Sequence, residues 1–143
     1  MKRALRQLTG KRQSVISEHE VLIELRGLRA RIPHLAGALV ATTDGLVVAH
    51  DTTGLEPEGI AALTAAALGV GARLTEATGR GGFRELLTRG EYGYIATYAV
   101  GAFVVLTLLA GPEANVGRLH LEARKAGGRI AALADSALGR LPS

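Results

Sequence analysis

The sequence predicts an α+β fold: one five-stranded antiparallel sheet with helices on both faces. Three observations carry that expectation. The uncharged run from Tyr92 to Pro112 is interrupted by Gly93, by Val100-Gly101 and by Gly111-Pro112, leaving two pieces of about eight residues. That is strand length, not the length of a membrane span. Second, Asp44-Gly45 sits between two short apolar runs, a strong hairpin signal because Gly tolerates the positive φ of a tight turn. Third, the segments around these strands repeat apolar residues at helical spacing.

The elements follow in order. A helix is expected over residues 14–31, where Val21, Leu25, Leu28 and Ile32 form a stripe and Glu18, Glu20, Glu24, Arg26 and Arg29 take the other faces. Pro33 ends it, since the residue before proline is pushed out of the helical region. Strands at about residues 37–42 and 46–50 flank Asp44-Gly45. A second helix spans residues 57–78, with Pro57 suited to the first helical position and Glu56 and Glu58 at its positive end. Its apolar stripe is read as Ile60, Leu63, Ala67, Val70 and Leu74. A neighbouring face carries only Ala62, Ala66 and Gly69. Gly69 and Gly71 each cost about 1 kcal/mol against Ala inside a helix, which is understandable if another backbone comes very close. That backbone belongs either to the sheet or to the same helix of a second chain.

Gly79-Arg80-Gly81-Gly82 is a loop, and FRELLTR (83–89) a polar strand whose charges mark a sheet edge. The pieces GYIATYAV and AFVVLTLL then form an antiparallel pair turning at Val100-Gly101-Ala102, rich in residues that fit a pleated surface. In the second piece Phe103, Val105 and Leu109 point one way and Val104, Leu106 and Leu108 the other. A strand with one wet face would alternate, so the pair belongs mid-sheet, covered on both sides. A long last helix carries Val116, Leu119, Ala123, Ala126, Ile130, Leu133 and Ala137 at spacings of three and four, with Gly127-Gly128 as a kink or a point of close approach.

Composition narrows the function. The 143 residues suit one domain with a real core. Cysteine is absent, which removes disulfides and thiolate chemistry and makes a reducing cytoplasm the expected location. The N-terminus has no apolar h-region and does not read as a secretory signal. The formal charge of +4 is uneven: Lys2, Arg3, Arg6, Lys11 and Arg12 precede the first acid, Glu18, and the rest is nearly neutral. Residues 1–13 are therefore read as a basic, flexible tail and residues 14–143 as a single domain. The body lacks the interleaved aromatic and basic residues of a nucleic-acid platform, so no nucleic-acid partner and no membrane span are expected.

Reactive constellations are thin. His19, His34, His50 and His120 are scattered, none at metal-ligand spacing. His120 and Glu122 are two apart and so face different ways on a helix. His50-Asp51 ends a strand as a local pair. GVGARL lies inside a helical pattern rather than after a strand, so it is no dinucleotide fingerprint, and the glycines at 79–82 lack the Lys-Ser/Thr of a phosphate loop. Ser14, Ser17 and Ser136 have no nucleophile-elbow context. Arg118, Glu122, Lys125 and Arg129 read as a solvated face with local ion pairs, or a partner surface. No catalytic residue, cofactor or metal is expected, and the chain does not read as an enzyme.

The element order, with GALVATTDGLVVAHD, EPEGIAALTAAALGVGARL and GYIATYAVGAFVVLTLLAGPEANVGRLHLEARK, resembles the Roadblock/dynein light-chain domain family in its stand-alone bacterial form, over about residues 21–138. The resemblance implies the first and last helices on one face and the middle helix on the other. It implies a homodimer whose third strands pair edge to edge while the middle helices pack together. The corresponding interface here is Ala62, Ala66, Gly69 and Arg73, with Phe83, Arg84, Glu85, Leu86, Leu87 and Thr88. The family members are regulators of small Ras-like GTPases and adaptors in dynein or lysosomal complexes, without chemistry of their own. The function so implied is a non-catalytic homodimeric regulatory or scaffolding protein that binds a small Ras-like GTPase in bacterial signalling or polarity. The competing expectation is a small-ligand sensor of similar architecture, holding its ligand in an apolar cleft.

Overall fold

A computed structural model describes residues 16–139. The expected basic tail, the first two residues of the expected first helix and the side chain of Ala137 lie outside the described residues. Among the described residues, three helices and five strands follow one another as α1 (Glu18–Arg31), β1 (Leu35–Thr42), β2 (Val47–Asp51), α2 (Pro57–Ala77), β3 (Glu85–Gly90), β4 (Gly93–Val100), β5 (Val104–Ala110) and α3 (Val116–Gly139). The order is the one expected from the pattern.

Local chemistry sets the boundaries. Ser17 caps α1 by accepting from the Glu20 amide, and Glu18 and Glu20 occupy the first turn while Arg29 and Arg31 occupy the last. Each charge thus faces the helix end of opposite sign. The chain leaves α1 through an extended Ile32, Pro33 and a left-handed His34 (φ 67°), whose carbonyl accepts from the Gly111 amide. Gly45 takes φ 91° in the β1–β2 turn, as the Asp44-Gly45 pair requires. Asn115 caps α3 by accepting from the Arg118 amide.

All strand pairs are antiparallel, in the order β2-β1-β5-β4-β3. β5 is the central strand, with Leu106 and Thr107 fully buried on opposite faces. Phe103 lies in the turn before β5 and is partly exposed rather than part of the strand. α1 and α3 lie side by side on one face, and their Val21, Leu25, Leu28, Leu119, Ala123 and Ile130 close the main core over Val40, Ala96, Leu106 and Leu108. The opposite face has a much smaller core of Leu39, Ala41 and Ala61, flanked by Val47 and Ile60. α2 is the only described helix there, and it touches every strand. One helix cannot cover five strands, so β4 is less covered than its sequence suggests: Ile95, on the α2 side, is 40% exposed.

The ion pairs of α3 also differ from expectation. They are not local to the helix. Glu122 pairs with Arg31 and Arg129 with Glu24, strapping α3 to α1 across two turns.

Candidate functional site: an uncovered helix face beside an open strand edge

The expected stripe of α2 meets the core only at Ile60, and most of it is turned away. The residues that face the sheet are Ala61, Thr64 and Gly71, all buried. Leu63, Val70 and Leu74 point to solvent, at 72%, 61% and 60% exposure. Small side chains win the sheet side because the helix lies close: the α-carbon of Ala62 is 3.4 Å from where a side-chain carbon on Gly45 would stand. α2 is long and apolar enough by composition to cross a membrane, yet it lies along the sheet. Its apolar content is therefore mostly unused inside this chain, and exposed apolar area of this kind marks an interaction surface.

The two unusual glycines separate cleanly. A side chain at Gly71 would start 2.5 Å from the Phe83 ring, so this glycine exists to seat Phe83 against α2. Gly69 meets nothing within 4 Å and is exposed, so no contact within the described residues accounts for it. Ala62, Ala66 and Arg73 are exposed beside it. The Gly71–Phe83 contact also brings the second half of α2 next to the start of β3.

β3 is an edge strand, hydrogen-bonded among the described residues to β4 alone. It begins at Glu85, two residues later than expected, which leaves Phe83 and Arg84 in the approach to it. Leu86 is half-buried and faces the α2 side, while Leu87 and Thr88 are exposed. The other edge is not equivalent. There Arg29 of α1 donates to the Asp51 carboxylate at 2.8 Å and to the backbone carbonyls of Asp51 and Ala36, closing the end of β2. His50 bonds Thr52 rather than the expected Asp51, whose carboxylate Arg29 has taken.

The structure assembles one polar cluster that sequence spacing could not reveal. Glu85 faces α3, where Arg124 donates to both its carboxylate oxygens at 2.9 and 3.1 Å. His120 Nδ1 lies 3.2 Å from Glu85 Oε2 and 2.6 Å from the Tyr98 hydroxyl. Burial pushes the Tyr98 phenol well above its ordinary range, helped by the Glu85 carboxylate and opposed by Arg124. A phenol so held stays protonated and can donate to the imidazole. The cluster thus anchors the edge strand to the last helix. It has no serine or cysteine to activate, and among the described residues no group of three or more His, Asp or Glu could hold a metal ion.

Fold and site together define a small α+β domain whose distinguishing feature is an exposed apolar helix beside an edge strand. The chain belongs to the Roadblock/LC7 domain family, whose model matches residues 22–110. An MglB structure with a tetrameric arrangement superposes with a TM-score of 0.78 at 21% identity, covering 84% of this chain and 91% of that one. A Roadblock/LC7 domain from Streptomyces avermitilis gives 0.62 at 26% identity, over 81% and 92%. Myxococcus xanthus MglB gives 0.71 at 17% identity, over 90% and 91%. At such identities the MglB likenesses speak to the fold. A comparison with curated protein sequences finds no match. The helix placement implied by the family, α1 and α3 opposite α2, is the one observed.

Proposed function

We propose that this chain is a non-catalytic regulatory or scaffolding protein that acts as a homodimer and binds a small Ras-like GTPase in bacterial cytoplasmic signalling, with residues 14–143 as its single domain. The observation that carries this reading is the outward stripe Leu63, Val70 and Leu74, which runs beside Gly69 and next to the open edge of β3. A two-fold partner satisfies both needs at once. Its α2 covers the apolar stripe, and its β3 pairs with the free edge. In that dimer Ala62, Ala66, Gly69 and Arg73 lie in the helix contact, and Leu86, Leu87 and Thr88 in the strand contact. Phe83 and Glu85 support the contact from within their own chain, against α2 and α3.

Sedimentation velocity across micromolar concentrations tests the dimer. The wild type should run as a dimer and Leu63→Asp/Val70→Asp as a folded monomer; a wild type that stays a 15-kDa particle would refute it. Pull-down of Ras-like GTPases in their GDP and GTP states tests the partner. Binding that prefers one nucleotide state is expected, and absence of nucleotide-dependent binding would count against the regulatory role.

A further inference from the structure

A cleft of about 400 Å³ lies between α3 and the strand edge, away from the outward stripe of α2. Phe83 and Arg84 form one wall, and Ala123, Arg124, Gly127 and Gly128 of α3 form the other. The two glycines have different reasons. A side chain at Gly127 would meet Val100 at 3.3 Å, so packing explains it. Gly128 is exposed, meets nothing within 4 Å, and is unfavourable in a helix interior without local compensation. Its effect is to keep the cleft open.

The charge of the walls is one-sided. Glu85 is the only acid there, and Arg124 and His120 already hold it. Arg84 is exposed with no ion pair among the described residues. An unpaired arginine beside aromatic and small residues matches a chain that carries a carboxylate and an apolar side chain. The cleft is open along one side, so it cannot bury most of a small ligand's surface as an enclosed pocket does. An extended segment suits that shape better.

We infer that this cleft docks an acidic, partly apolar peptide segment of a partner protein, with a carboxylate toward Arg84 and an apolar side chain between Phe83 and α3. Phe83, Arg84 and Glu85 also belong to the expected self-association interface, whereas the α3 wall of the cleft lies outside it. The test is selection of a displayed random nonapeptide library on the full chain, followed by anisotropy titration of the enriched peptides, labelled with fluorescein. Net-negative peptides with at least one large apolar residue should be enriched. Their affinity should fall at least tenfold on Gly128→Leu, which fills the cleft from an exposed helix position, and on Arg84→Ala. Gly128→Leu should keep the wild-type sedimentation coefficient, which separates failure here from failure of the dimer. No enrichment, enrichment of neutral or basic peptides, or undiminished binding to Gly128→Leu would overturn the inference. So would thermal stabilisation by succinate that Gly128→Leu abolishes while no peptide is enriched, because the cleft would then be a small-anion site.

Discussion

Two buried polar side chains carry the most testable energetics of single residues. Thr107 stands at the centre of the sheet on the α2 side, fully buried, and its hydroxyl finds no hydrogen-bond partner among the described residues. Valine has nearly the same shape without the unmet group, so Thr107→Val should stabilise the fold by about 1 kcal/mol in a urea titration. Tyr98 is the opposite case, buried but bonded to His120. Tyr98→Phe should cost about 1 kcal/mol at neutral pH. Because the phenol's pKa is raised in the folded state, the native protein holds this proton where the unfolded chain has released it. The stability Tyr98 contributes is therefore complete below about pH 10, the ordinary phenol value, and lost as pH rises beyond it. Denaturation curves for wild type and Tyr98→Phe should converge in that alkaline range.

At the level of elements, α2 teaches the most. Its existence and start were readable from Pro57, the flanking acids and the apolar spacing, and the helix indeed runs Pro57–Ala77. Which face it buries was not readable. Periodicity reports a stripe but not what the stripe touches, and in this helix Leu63, Val70 and Leu74 face outward while Ala61, Thr64 and Gly71 face the sheet. The signal that could have found this was the small-residue set at 61, 64 and 71, which permits close approach to a sheet. The glycines make the same distinction testable. Gly71→Leu should destabilise the monomer by about 1–3 kcal/mol through displacement of Phe83. Gly69→Leu should leave the unfolding midpoint of the monomer intact and weaken self-association in sedimentation. The Glu85–Arg124–His120–Tyr98 cluster was illegible for another reason. Its members come from β3, β4 and α3, up to 39 positions apart, and only the register Glu85–Tyr98 puts them on one face. The strand pair at residues 93–110 was the most legible, because every side chain of a covered central strand must be apolar or small.

The whole molecule is asymmetric across its sheet. One side is sealed by two helices that are strapped together through Arg31–Glu122 and Glu24–Arg129. The other side is roofed, among the described residues, by a single helix over a small core. Damage should follow that division. Leu106→Asp puts a charge at a fully buried central position on the sealed side and should abolish the cooperative unfolding transition and the dispersed amide spectrum altogether. The region of the family match, residues 22–110, ends with β5, so α3 and its contacts with β3 lie beyond it.

In the proposed dimer, the side chains that α2 turns outward also set how association responds to heat. Hydration of apolar surface is governed by heat capacity, so covering Leu63, Val70 and Leu74 should give association a negative ΔCp. The enthalpy of dilution measured by calorimetry should then change steadily with temperature, and complexes formed by this chain should loosen on chilling as the entropic drive of water release fades.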